Sequence, residues 1–444
     1  MSQEEDLLGF LSLPADLVYG IQTQRAINNF PRKRQVCIGS YRNLITALLW
    51  VKRAAALANE RCGYLTSRQL KAISMAADQV LSENLEDFFP VHRLHGGGGT
   101  SANMNANEVL AKRAQQILVK QGIDESLSPC GELNLHQSTN DVYPTACHVA
   151  ICLEWQGMDS ALDSLITAFQ EISGKYAGEN KLARTCLQDA VSITYGDFFS
   201  GYAAAAKRYK KRFADAVDRL HSVCLGGTIV GDSAAVPPCY FKAVIPALRE
   251  VSGDNGYVRH ENLFDAAQNP DEMLAFASVL DSMARFLIKV GKDFRLMASG
   301  PEAGFNEIVL PAVQPGSSAM PNKVNPVIPE FLIQSCMDII GRCHSAQMTI
   351  DHGELDLNIW ESVIVCNILD AIDLLEMGIT SFVKNCLNDM RINAEILEKY
   401  CSCSTSLVEK MSRIHGYEAV SKLCQRARME KRNIKDVLRE QGMI

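Results

Sequence analysis

Between Met273 and Met297 the apolar residues Met273, Phe276, Leu280, Met283, Leu287, Val290, Phe294 and Met297 recur at alternating steps of three and four. This spacing keeps one stripe of a helix apolar from end to end, the pattern of a seam that packs against other long helices. Just upstream, Asn269 as N-cap, Pro270 as first helical residue and Glu272 three positions after the cap predict the helix start. About 28 residues of helix would span roughly 42 Å. Four further runs, at 143–176, 196–224, 328–350 and 359–387, are poor in internal Gly and Pro and rich in Ala, Leu, Ile and Met. Five long helices predict a bundle, and no alternating β-branched runs with hairpin turns argue for a central sheet. The expected fold is all-α dominated, in three parts: a mixed, helical segment over 1–140, a central long-helix bundle over 141–390 and a small helical C-terminal part over 391–444.

Composition narrows the setting. With 444 residues, 47% hydrophobic and 21% charged, the chain can bury a large core, and a net charge of −7 offers no basic footprint for nucleic acid or an anionic membrane. A small-molecule partner is expected instead. Fifteen cysteines lie scattered through apolar contexts such as Cys147, Cys152, Cys336 and Cys366, which reads as reduced core thiols. The start, MSQEEDLLGF, is acidic where a signal peptide needs a basic and then an apolar stretch, and no later run reaches about 18 uninterrupted apolar residues. The expected location is the cytoplasm.

Chemistry is expected in the polar interruptions between helices. In HGGGGTSANMNANE, from His95 to Glu108, four glycines let backbone approach a ligand, and Thr100, Ser101 and Asn103 supply donors where a helix begins. A turn capped by Thr100 explains the same residues. HQSTNDVYPT places Ser138, Thr139 and Asn140 in a row before Pro144, which reads equally as an N-cap cluster. RTCLQDA, from Arg184 to Ala190, is a polar turn holding Thr185 and says little alone. GSSAMPNKVNP, from Gly316 to Pro326, combines paired hydroxyls, a lysine and two asparagines on a proline-braced loop. A lysine can neutralise a carboxylate, hydroxyls can receive developing negative charge, and such a loop can move as a lid. A surface loop with helix caps is its bland counterpart.

Taken in order, these four stretches resemble the aspartase/fumarase superfamily. GSSAMPNKVNP is similar to its signature lid loop, GGGGTSANMNANE to its glycine–threonine loop, QSTND to its second substrate loop and RTCLQDA to its third. The similarity extends through DLLGFLSLPADLVYGIQTQRAINNFP, LGGTIVG and GFNEIVLPAVQPGSS. The resemblance implies a three-domain fold, a homotetramer with a twenty-helix core to which each subunit gives five, and active sites assembled from three subunits. It also implies anti elimination of an amine or hydroxyl to yield fumarate or a fumarate adduct, with no metal or organic cofactor.

By that resemblance Ser317 is the general base, and Ser318, Thr100, Ser138 and Thr139 bind the carboxylate whose charge doubles as the proton leaves. One such donor is worth about 3–4 kcal/mol. Lys323 and Asn325, with Thr185, would hold the other carboxylate, Asn140 would face the leaving nitrogen, and Ser101, Asn103, Cys186 and Met320 complete the expected substrate contacts. QSTND and GTSANMN look more like aspartases than fumarases, so ammonia is the expected leaving group. Ala319 is shared with adenylosuccinate lyases, Asn322 stands where Ala or Gly is usual, and GDSAAV at 231–236 and Glu361 also depart from the common patterns. Cys186 replaces a histidine that in fumarases pairs with the residue matching Glu330; a thiol cannot carry imidazole's positive charge, which disfavours water addition. Fumarate hydratase, another amine lyase and a non-catalytic tetrameric scaffold remain the alternatives.

Overall fold

The computed structural model describes residues 2–401 and 404–444. Sixteen α-helices dominate these residues, and the β structure amounts to four two-stranded sheets and two isolated bridges. The five long helices are present, at Thr139–Lys175, Tyr195–Leu220, Asp271–Met297, Val327–Gln347 and Glu361–Phe382. All eight seam residues from Met273 to Met297 are at most 5% exposed. Burying one such Leu, Phe or Met side chain contributes about 1.5–3 kcal/mol, so the three–four spacing marks a core stripe. The helix start needs a correction. Asn269 spends its side-chain amide on Asp265 at 2.6 Å and closes the short helix Leu263–Gln268, and the long helix begins at Asp271.

The chain divides into two compact units, each assembled from three separate segments. One comprises Met1–Asp159, Lys211–Arg285 and Met337–Leu375. Here helix Arg42–Arg61 packs on Pro238–Ser252 and helix Ser67–Leu81 on Thr100–Lys120, while Trp155, Phe213 and Phe276 form an aromatic group. Cys62 and Cys239 are joined in a disulfide, which corrects the expectation that all the thiols are reduced. They lie 177 residues apart and meet because helix Arg42–Arg61, which Cys62 follows directly, packs on helix Pro238–Ser252, which holds Cys239, a contact no local pattern reveals. Cys147, Cys152, Cys336 and Cys366 are buried as expected, and burial pushes the Cys152, Cys336 and Cys366 thiols up to about 12.

The other unit comprises Ser160–Lys210, Phe286–Cys336 and Glu376–Ile444. Phe169, Phe199, Phe294 and Phe382 pack in its interior, the first pair stacked and the next two edge to face. Strands Asn180–Thr185 and Gln188–Thr194 form an antiparallel hairpin, so RTCLQDA is a β-turn region rather than a simple polar turn before a helix. The charged tail folds as helices Ala394–Cys401, Ser404–His415, Tyr417–Met429 and Ile434–Glu440, with Met411, Val420 and Leu438 as a small core. Of the stretch KYCSCSTS, Ser402 and Cys403 lie outside the described residues.

Candidate active site

The glycine–threonine loop is built by close packing. Gly97, Gly98 and Gly99 all take positive φ, and a Cβ on Gly99 would come within 2.2 Å of the Tyr143 ring, so no side chain fits there. Helix Thr100–Lys120 therefore starts directly on the loop, with the N–H groups of its first turn free of intrahelical partners. Thr100 is exposed and donates its hydroxyl to the Gly97 carbonyl at 2.7 Å. Ser101 is half-buried. Asn103 is only 1% exposed and turns inward, where its Nδ2 donates to Thr139 Oγ1 at 3.0 Å and Asn134 Oδ1 at 3.3 Å.

The second row forms the first turn of helix Thr139–Lys175. Ser138 Oγ accepts from the Asn140 N–H at 3.3 Å, and Asp141 Oδ1 accepts from the Ser138 N–H at 2.9 Å, so the residues do cap the helix. Capping and ligand binding are compatible here. Thr139 is half-buried, and Asn140 reaches the Ile229 carbonyl at 2.8 Å. The turn is anchored from behind by Asp141, 1% exposed, whose Oδ2 accepts from the N–H groups of Gly226 at 2.9 Å and Thr228 at 3.2 Å. Lys52 lies beneath the row, 1% exposed, with its ammonium on Gln137 Oε1 at 3.0 Å and Asn134 Oδ1 at 3.2 Å. Burial holds Asp141 above the usual carboxylate range and Lys52 below the usual ammonium range, each effect moderated by the charge of the other.

In the second unit, Thr185 and Cys186 are exposed at the tip of the hairpin. Cys186 and Leu187 form its two-residue turn, both at positive φ, 53° and 59°. That geometry suits Asn-Gly far better than Cys-Leu. The hairpin is tied down by Glu307, 0% exposed, whose carboxylate receives Lys181 at 3.0 Å and also Arg184. Arg184 in turn stacks on Phe305 and Tyr400.

The lid loop folds back on itself. Gly316 N donates to the Lys323 carbonyl at 2.8 Å, and Asn325 Nδ2 donates to the Gly316 carbonyl at 2.8 Å. A Cβ on Gly316 would meet the Asn325 nitrogen at 2.6 Å, which explains the glycine. Inside this turn Ser317 Oγ accepts two backbone N–H groups, from Ala319 at 3.1 Å and Met320 at 2.9 Å. Ser318, Met320 and Lys323 are exposed. Lys323, Asn322 and Asn325 border a cleft with Arg295, Asn306 and Glu330, in which Glu330 pairs with Arg295 at 3.4 Å.

The family described as Lyase matches residues 9–341. Aspartate ammonia-lyase of Bacillus subtilis is 37% identical over 99% of the chain and 92% of its own length. Fumarate hydratase class II of the same organism is 34% identical over 98% of the chain and 93% of its own length. Among solved structures, the cobalt-bound fumarate lyase:delta crystallin of Brucella melitensis superposes with a TM-score of 0.93 at 36% identity, covering 100% of this chain and 96% of the other. The chain belongs to the aspartase/fumarase superfamily of lyases.

In this lyase, Asn103 and Thr139 touch each other, as do Ser317 and the lid backbone, and Asn325 and Gly316. The supporting residues of the lyase are Lys52, Asn134 and Asp141 in one unit and Glu307 in the other; Lys52 and Asn134 lie outside the motifs, and Asp141 and Glu307 lie within them with no local sign of their role. Lys52 had a signal. Ile45, Leu48, Lys52, Ala55 and Asn59 follow the same three–four spacing, which puts a charge on the core stripe of its helix.

Proposed function

We propose that this lyase removes ammonia from aspartate, or a close amino-acid relative, by anti elimination to give fumarate. The observation that carries the reading is the pair of N–H groups aimed at Ser317 Oγ. Hydrogen bonds to the charged form of a group favour that form, so two fixed amide donors stabilise an alkoxide at Ser317 and equip it to take a proton from carbon. The pair also forms an ordinary serine turn, and it becomes catalytic where substrate is delivered to it.

Delivery is the role we assign to the exposed lid and hairpin residues. Lys323 and Asn325, with Thr185, hold the carboxylate remote from the reacting carbon. Thr100, Ser138, Thr139 and Ser318 receive the other, whose charge doubles in the aci-carboxylate intermediate. Asn140 faces the departing nitrogen, and Ser101, Cys186 and Met320 border the substrate. Such donors act most strongly where charge develops, because they need no reorganisation as the reaction proceeds. We further propose that the sites are composite within a homotetramer, that the three sequence-defined parts act as domains, and that the protein works in the cytoplasm.

A hydratase reading is favoured by the 34% identity to fumarate hydratase class II. Cys186 weighs against it, since the hairpin turn presents a thiol and no imidazole. Fumarate absorbance followed with aspartate, malate, argininosuccinate and other amino acids decides between them. Fumarate from aspartate with negligible turnover of malate is expected; turnover of malate and none of aspartate returns the protein to the hydratase side.

A further inference from the structure

Thr139 can bind a carboxylate only if its hydroxyl proton points at the substrate, and a hydroxyl can equally well turn its lone pairs outward. The structure shows what decides this. Lys52 Nζ donates to Asn134 Oδ1 at 3.2 Å while Asn134 Nδ2 donates to the Gln137 carbonyl at 3.3 Å, so the acceptor oxygen, and not Nδ2, faces Lys52. With that oxygen committed as an acceptor, Asn103 and Asn107 must present nitrogen to it, at 3.3 and 3.1 Å. The second hydrogen of Asn103 Nδ2 then goes to Thr139 Oγ1 at 3.0 Å. Thr139 is thereby an acceptor on its inner side, and its proton has no acceptor among the described residues. A second observation supports the same direction: Asn103 Oδ1 and Asn107 Oδ1 are buried with no partner, so both amides forgo a hydrogen bond on oxygen while their nitrogens serve Asn134.

We propose that Lys52 is a positioning residue that, through Asn134 and Asn103, fixes the Thr139 hydroxyl as a donor toward an anionic oxygen of the substrate. The inference rests on the ammonia-lyase reading and adds the reason why the row selects carboxylates. Were the chain of amides reversed, Asn103 Oδ1 would take the Thr139 proton and Thr139 would show a carboxylate only lone pairs. Asp141 balances the buried charge of Lys52 and holds the backbone of the same row, so cation and anion serve one short segment.

The test is a double-mutant cycle of Lys52→Met and Thr139→Val, read by calorimetric binding of succinate, a dicarboxylate that cannot be turned over, and by kcat/KM for aspartate. Each single variant is expected to weaken succinate binding roughly tenfold or more, the scale of one hydrogen bond to a charged group, and the double variant to bind no more weakly than Thr139→Val. Additive losses would mean that Lys52 only supports the fold and would overturn the relay. Circular dichroism checks the variants. If Lys52→Met does not fold, Asn103→Leu replaces it in the cycle and cuts the relay without disturbing the buried charges, with non-additivity again expected and additivity again decisive against. Wild-type protein that neither binds succinate nor forms fumarate overturns the ammonia-lyase reading and the relay together; binding with an additive cycle overturns the relay alone.

Discussion

In the function proposed above, Ser317 would draw its reactivity from backbone alone. Its oxygen receives two amide N–H groups in a loop whose own closure depends on Gly316 and Asn325. Removing the hydroxyl leaves that closure untouched, since it uses none of the Ser317 side chain. Ser317→Ala is therefore expected to lower turnover by about 10²–10⁴-fold, the usual range for a general base, while succinate affinity measured by calorimetry stays within a few fold; near-normal turnover would remove Ser317 from the chemistry. Glu361 is a residue of the opposite kind, with Oε2 buried and unpaired. Burial raises its carboxyl to about 8, only partly offset by its own backbone N–H. The folded state then holds a proton that the unfolded state has already lost from about pH 4.5 upward, so this group withdraws stability as pH climbs toward about 8. His148, which burial lowers to about 4, acts with the opposite sign at lower pH. The difference between Glu361→Gln and wild type isolates the first effect: the Tm advantage of the variant should widen from pH 5 to pH 8, and a constant difference would refute it.

Among the elements, the long helices were legible because an apolar stripe repeats over many turns, and the eight residues from Met273 to Met297 all proved buried. The hairpin was not legible. Its turn is Cys186–Leu187, two residues with no preference for positive φ, and the buried Glu307 that receives Lys181 and Arg184 lies more than 120 positions further along the chain. The four site motifs were readable as motifs, whereas their supports were not, because Lys52, Asn134 and Glu307 act through partners far along the chain. The Cys62–Cys239 bond escaped for the same reason. Glu307→Gln leaves two cations facing a neutral amide, and removing one partner of such a buried pair costs about 3–5 kcal/mol. A clear drop in denaturant midpoint is the expected outcome, together with loss of activity as Thr185 and Cys186 lose their footing; an unchanged midpoint would show that the hairpin is held elsewhere.

At the scale of the whole molecule, the proposed composite sites require assembly. The relevant measurement is the mass in solution by light scattering, expected to be that of four chains, with specific activity falling on dilution to concentrations where the assembly dissociates. Full activity from a monomer would exclude shared sites. No described helix is long and apolar enough to cross a membrane.

The segmented make-up of the two units has a consequence for how the protein is made. One unit needs residues up to Leu375 and the other continues to Ile444, while both begin before residue 161. Neither hydrophobic interior can therefore close during most of translation, and a ribosome must expose the chain through residue 375 of 444 before even the first set of partners is complete. Nascent chains stalled earlier than that point would display parts of seams such as Met273–Met297 that find their partners only later in the chain.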